Sequence, residues 1–423
     1  MNYLLFIFYT ILFCWLITRI KFFTQSGLSN RLLITLFLLR IFTLIISCYL
    51  NVNYFPVSDS VAFHKMGIEE YNLLFQDPHA YFVNIFRNYY THGYSRLFDD
   101  SQSYWNNLKT NLLAKMLSIF DLISFKNFFI NTLFYNFLVF FGFVALYRVF
   151  IKIFTESFYQ LIFCIFLLPS ALFFTSMIHR DGLILLSLSM IIYHLFFILN
   201  NDQFTWKRIW IILFFLIVIF LLRNFVLITL IPAMTAWIIA QKNSKYGFLT
   251  FVAVYAFTSV LFFSSGYISP RSNLPKYVVS RQSSFIEIGK AGNSTISINK
   301  LSPTFKSFLN NAPQAFDHVL LRPYLSKITD FEYLPFALEI FILEILFLLF
   351  IFFRKKNYQV HPLIYFGVFF SLSMLIIAGY TVPIIGAIVR YRSIYLIFLF
   401  VPITCYIDWE TIQKMITNFI KRK

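Results

Sequence analysis

Residues 334–353 read Leu-Pro-Phe-Ala-Leu-Glu-Ile-Phe-Ile-Leu-Glu-Ile-Leu-Phe-Leu-Leu-Phe-Ile-Phe-Phe and run directly into Arg354-Lys355-Lys356. At 1.5 Å rise per residue such a run makes a helix about 30 Å long, the thickness of a bilayer's hydrocarbon core. A helix apolar on every side, broken only by Glu339 and Glu344, cannot face water, and the basic triplet at its end sits where a membrane span meets the headgroups.

Outward from this stretch, comparable runs recur along the whole chain. Ten more candidates fall at 2–17, 32–50, 128–147, 158–177, 182–199, 209–222, 225–240, 246–263, 362–377 and 393–407, which predicts an all-α polytopic membrane protein with about eleven transmembrane helices. Composition agrees: 59% of the 423 residues are hydrophobic and 13% charged, against roughly 25% charged in soluble domains. Gly and Pro, at 12 and 13 residues, are too few for a collagenous or low-complexity chain. Cys14, Cys48, Cys164 and Cys405 all lie inside apolar runs without metal-ligand or CxxC spacing and read as free thiols.

The net charge of +17 would point to nucleic acid in a soluble protein, but here the basic residues flank apolar runs and no nucleic-acid partner is expected. They fall on alternate connections: Arg19, Lys21 and Arg31; Arg148 and Lys152; Lys207 and Arg208; Lys242 and Lys245; Arg354 to Lys356; and Lys421, Arg422 and Lys423. By the positive-inside rule this spacing predicts an outside N-terminus and an inside C-terminus. The first run has no basic n-region or cleavage site, so it reads as a retained span. A single transmembrane domain covering 1–423 is expected. Its two long outer segments, 51–127 and 264–333, carry seven and four of the 18 acidic residues. Within the first, Leu113, Met116, Leu117, Phe120 and Ile123 have the spacing of a helix lying in the interface.

On this topology the residues able to do chemistry gather on the outer face. Asp59 and His64 follow the second span, His179-Arg180-Asp181 interrupts the fourth and fifth, and Arg223 closes the sixth. Arg281 and Arg322 lie in the second outer segment, and Arg390 and Arg392 precede the last span. Arginines at outer membrane edges need partners, and their planar fork suits phosphate, so the set reads as a binding surface for an anionic headgroup. Asp59 is the candidate catalytic carboxylate, and it stands equally well for a helix N-cap. His64 is a neighbouring base or a polar surface residue. Arg40, eight residues from Leu32, and Glu344, nine from Phe353, lie at matching depths in their spans and are expected to pair. No metal or nucleotide motif occurs, and neither a metal nor a cofactor is expected.

The run Pro-Ser-Ala-Leu-Phe-Phe-Thr-Ser-Met-Ile-His-Arg-Asp-Gly at 169–182, the element Leu321-Arg322-Pro323-Tyr324 and the element Arg390-Tyr391-Arg392 resemble bacterial polysaccharide-locus membrane proteins of the GT-C-type glycosyltransferase and O-antigen polymerase superfamily. Arg281 and Gly292 also reproduce the Arg-x10-Gly spacing of O-antigen polymerase outer loops. The resemblance implies transfer of a sugar from a polyprenyl phosphate or pyrophosphate to a glycan acceptor on the non-cytoplasmic face of a bacterial cytoplasmic membrane. In that family an Asp of the first outer loop is catalytic or orients substrate, which maps onto Asp59. This chain has an extra span before that loop and lacks a paired acidic motif there. In the implied chemistry Asp59 or His64 takes the acceptor proton, and Arg180 with some of Arg223, Arg281, Arg322, Arg390 and Arg392 stabilises the leaving phosphate, Asp181 and His179 assisting. The competing expectations are a transporter or lipid-linked-oligosaccharide flippase, and a structural subunit of a membrane complex.

Overall fold

The computed structural model describes residues 2–55, 58–88, 90–94, 103–200, 204–268, 273–290, 294–327, 331–356 and 358–421. Gly292, Arg422 and Lys423 lie outside the described residues. The main helices are α1 (Tyr3–Arg19), α2 (Asn30–Asn53), α3 (Asp59–Gln76), α4 (Tyr104–Ser124), α5 (Phe128–Ile153), α6 (Phe158–Phe166), α7 (Pro169–Ser176), α8 (Arg180–Asn200) and α9 (Trp206–Arg223). They continue with α10 (Phe225–Lys242), α11 (Gly247–Ile268), α12 (Leu274–Gly289), α13 (Phe305–Phe316), α14 (Leu334–Phe352), α15 (Pro362–Thr381), α16 (Ile385–Cys405) and α17 (Trp409–Lys421). Among the described residues there is no strand, only two isolated bridges. This is an all-α membrane protein.

Each of the eleven apolar runs is helical, and among the described residues eight helices are long and apolar enough to cross a bilayer: α2, α5, α8, α10, α11, α14, α15 and α16. The run 158–177 forms α6 and α7, bent by 45° at the break before Pro169, and counts as a ninth if the pair is one span. Proline removes a backbone donor and pushes the preceding residue out of the helical region, which accounts for the break. The first and sixth runs fall short for different reasons. Helix α1 has 17 residues, and α9 includes Lys207, Arg208 and Arg223.

Packing divides the chain into two compact units, Met1–Phe150 with Ala171–Leu227, and Ile151–Ser170 with Ile228–Lys423. In the first unit α1, the short helix Lys21–Thr24, α2 and α5 interlock through phenylalanine rings, Phe13 stacking on Phe137 at 4.4 Å, Phe23 lying 4.4 Å from Phe141 and Phe37 5.4 Å from Phe140. Ser29 caps α2 by accepting from Leu32 N, and Asn127 opens α5 by accepting from Phe129 N and Ile130 N. Helix α4 contains the amphipathic piece expected at 112–125. Its Leu113 and Leu117 are buried while Ile119, Leu122 and Ile123 are exposed, so one face packs along α3 and the other stays open.

In the second unit α15 and α16 pack together, with α6 beside α16. The second long segment folds onto α15: Gln282 Nε2 donates to Asn299 O at 3.0 Å and to Tyr380 O at 2.8 Å, and Tyr380 Oη donates to Phe308 O. An antiparallel bridge between Thr295 and Ile384 ties this segment to the start of α16.

Gly142 on α5 sets how closely α8 approaches. A Cβ there would lie 2.9 Å from Leu186 Cα, and a backbone contact cannot be relieved by a rotamer change. Gly142→Ala should therefore destabilise the first unit by about 1–3 kcal/mol, the range for overpacked cores, read as a lower thermal midpoint in detergent.

Candidate functional site

The chain reverses between α7 and α8 through Met177, Ile178 and His179, and three contacts fix this turn. Ser60 Oγ donates to Ile178 O at 3.0 Å, anchoring the first turn of α3. The Tyr135 hydroxyl, from α5, donates to His179 O. Gly182 makes room for that hydroxyl, since a Cβ at this position would fall on the Tyr135 ring and oxygen. Asp181 then stands in the first turn of α8, where the helix dipole favours a carboxylate.

These contacts align four side chains separated widely in sequence. Asp59 Oδ2 lies 3.2 Å from His179 Nε2, His179 Nδ1 lies 3.0 Å from Asp181 Oδ2, and Asp181 Oδ1 lies 2.8 Å from Arg223 Nη2. Exposure falls sharply along the line: 55% for the Asp59 side chain, 6% for His179 and 0% for Asp181, with Arg223 at 10%. The two inner contacts meet at ion-pair distance rather than as aligned hydrogen bonds. Both imidazole nitrogens thus face carboxylate oxygens. Chemically, this is a solvent-exposed carboxylate backed by a histidine whose other ring nitrogen faces a buried carboxylate.

Arg180, next in the chain, turns to α4 instead. Its Nη2 donates to Thr110 Oγ1 at 2.7 Å, and its guanidinium lies 5.2 Å from the Phe63 ring centroid. Phe63 also meets the His179 ring edge-on at 6.1 Å, so one aromatic side chain braces both residues.

Several sequence expectations change here. Arg223, expected on phosphate, is the counter-ion of Asp181, and Asp181 in turn serves His179 and Arg223. His64 is neither a second base nor a surface residue. It is buried, 3.4 Å from Asn131 Nδ2 and beside the Phe128 ring, and that burial pushes its imidazole down to about 4. Asn131 also donates to Asp121 Oδ1 at 2.7 Å, and burial pushes the Asp121 carboxyl up against the hydrogen bonds from Asn131 and Ser124. This His64–Asn131–Asp121 cluster was invisible in sequence, because Asp121 reads there as one polar position of an amphipathic helix.

Arg40 is fully buried as expected, but neutral oxygens of its own unit hold it where a carboxylate was expected. Nη1 donates to Thr175 Oγ1, and Nη2 donates to Asn136 Oδ1 at 2.9 Å and Thr175 O at 3.0 Å. Glu344 belongs to the second unit and is half-buried. The deeply buried carboxylate of that unit is Glu339, accepting at 2.6 Å from both Ser170 N and Ser170 Oγ.

The remaining predicted arginines also lie in the second unit. Arg322 Nε donates to Asp317 Oδ2 at 3.0 Å. Burial works against the charged form of Asp317, yet the hydrogen bonds from Tyr324 and Arg322 outweigh it and hold the carboxyl below its ordinary value. Arg392 is fully buried, donating through Nη1 to Val319 O and Arg322 O, with the Glu339 charge in range. Arg390 is half-buried beside Tyr391, and Arg281 is exposed over Phe285. No family model, curated protein or solved structure matches this chain.

Removing the Asp181 charge alone strands Arg223, so Asp181→Asn should cost about 3–5 kcal/mol, and the Asp181→Asn/Arg223→Gln pair should cost less than the sum of the single changes in a double-mutant cycle. For His64 the unfolded chain takes up a proton near the ordinary 6.5 and the folded chain only near 4. Its contribution is therefore complete above 6.5, is lost as pH falls towards 4 and stays constant below. Thermal midpoints of the native protein and His64→Gln should diverge across that window, the native protein showing the steeper loss on acidification.

Proposed function

We propose that this chain is a membrane-embedded glycosyltransferase that moves a sugar from a polyprenyl phosphate or pyrophosphate to an acceptor hydroxyl on the non-cytoplasmic face, in the synthesis of a cell-surface glycan. The observation that carries the reading is the line from half-exposed Asp59 through His179 to buried Asp181 and Arg223. A carboxylate reachable from outside and backed by a fixed histidine is suited to take a proton from a hydroxyl. In the reaction the acceptor oxygen bonds to the anomeric carbon as that carbon's bond to the phosphate oxygen breaks. The hydroxyl proton passes to Asp59, and the departing lipid phosphate carries off the electron pair and the negative charge. Arg180, half-exposed and aimed by Thr110, is the arginine assigned to that charge. The four arginines of the second unit receive different parts. Arg322 and Arg392 serve the fold, and Arg281 and Arg390 are the remaining candidates for headgroup contact.

A transporter or flippase is the competing reading, favoured by one observation: a carboxylate, Glu339, is buried within an otherwise apolar helix. Lipid-linked intermediates separate the two. Deleting the gene should leave a truncated lipid-linked glycan if the protein adds one sugar, and a single repeat unit if it polymerises. Complete lipid-linked glycan trapped on the cytoplasmic leaflet would identify a flippase, and an unchanged profile would remove both readings. Complementation with Asp59→Asn should fail, since loss of the base costs about 10²–10⁴-fold in rate. Arg180→Lys keeps the charge but loses the planar fork and should weaken binding of the lipid phosphate. Full turnover by purified Asp59→Asn protein would overturn the catalytic assignment.

A further inference from the structure

Helix α17 follows the last span and has no buried residue. Asp408 starts it, accepting from Thr411 N at 3.0 Å and Thr411 Oγ1 at 2.8 Å. Ile412, Met415, Ile416, Phe419 and Ile420 then recur at the three- and four-residue steps that line one face of a helix, and the last four are each more than half exposed. Lys414 and Lys421 project from the opposite face. More than half of the surface of Met415, Ile416, Phe419 and Ile420 thus remains exposed along this apolar face.

Its position names the occupant. The chain leaves α16 at Cys405 and is pinned at once to the end of α14: Arg354 bridges Ile407, Lys355 N donates to Tyr406 O at 2.8 Å, and Asp408 N donates to Phe353 O at 2.7 Å. Two apolar spans therefore end where α17 begins, and the boundary between hydrocarbon and headgroups passes through this point. The same point carries exposed Arg354 and Lys356 and half-exposed Lys355. An apolar helix face at a bilayer boundary, surrounded by cations, matches acyl chains on one side and anionic headgroups on the other.

We infer that α17 is an interfacial helix that docks on anionic phospholipid, its Ile412–Ile420 face in the acyl region and Lys414, Lys421 and the Arg354–Lys356 triplet against phosphate headgroups. A protein partner is the alternative occupant, and lipid composition distinguishes the two.

The test is hydrogen–deuterium exchange of the full chain in nanodiscs of pure phosphatidylcholine and of phosphatidylcholine mixed with phosphatidylglycerol. Amides of 410–421 should exchange about tenfold more slowly in the anionic discs, following the headgroup attraction of several basic side chains. Lys414→Glu/Lys421→Glu should remove that lipid dependence, and Ile416→Asp/Phe419→Asp should give fast exchange in both discs. Unchanged protection of α15 and α16 verifies that the variants are folded. Equal exchange of the native helix in the two compositions, whether fast or slow, overturns the proposal.

Discussion

A carboxylate with no exposed surface must have its charge answered by neighbours, and Asp181 imposes this requirement on half of the molecule. Taking an ion out of water costs several kcal/mol even after relaxation, and the compensation must come from groups already in place. For Asp181 these are Arg223 from the end of α9 and His179 from the turn before α8. Satisfying one buried charge thus brings two helix ends together, and His179 then carries the contact on to Asp59 at the start of α3. Tyr135 holds the backbone of this turn and packs so closely on Gly182 that a larger residue there would meet its ring.

Two other buried charges, Glu339 and Arg40, are held by neutral backbone and side-chain groups, and each of them meets the short helix α7. Glu339 accepts from the amide of Ser170 in its first turn, and Arg40 donates to the carbonyl of Thr175 in its last. Both placements agree with the helix dipole, which favours an anion at the amino end and a cation at the carboxyl end. Eight residues make a marginal helix on their own. Charges at both termini satisfy backbone groups that the bend before Pro169 would leave without partners.

This distinction explains what was legible in the sequence. The membrane architecture was, because an uninterrupted apolar run has few other destinations than a bilayer. The departures, α1 and α9, arise from length and from charges at the run's edges, which a scan for apolar centres underweights. The residues of the site were legible as well, since Asp59 and His179-Arg180-Asp181 interrupt apolar runs. Their connections were not. His179 and Asp59 are 120 residues apart, and only packing reveals that Asp181 belongs to Arg223 rather than to its neighbour Arg180. Depth matching of Arg40 with Glu344 counts formal charges alone, whereas Thr175 and Asn136 supply oxygens to Arg40 that such a count never sees.

The same reasoning separates the two carboxylates that flank His179. Asp181 has no solvent and faces His179 and Arg223, so removing its charge would leave the Arg223 guanidinium without its counter-ion, an arrangement the low-dielectric interior disfavours. Asp59 has more than half its side chain in solvent, and protonating it removes a charge at the exposed end without disturbing the buried balance. Under the proposed transfer the acceptor proton is therefore received at Asp59, with His179 behind it. Arg180, one residue beyond the histidine and aimed by a different helix through Thr110, can meet an anion without competing for the same partners. The three consecutive residues His179, Arg180 and Asp181 are thus each directed to a different neighbour, Asp59, Thr110 and Arg223, by the turn that α8 begins.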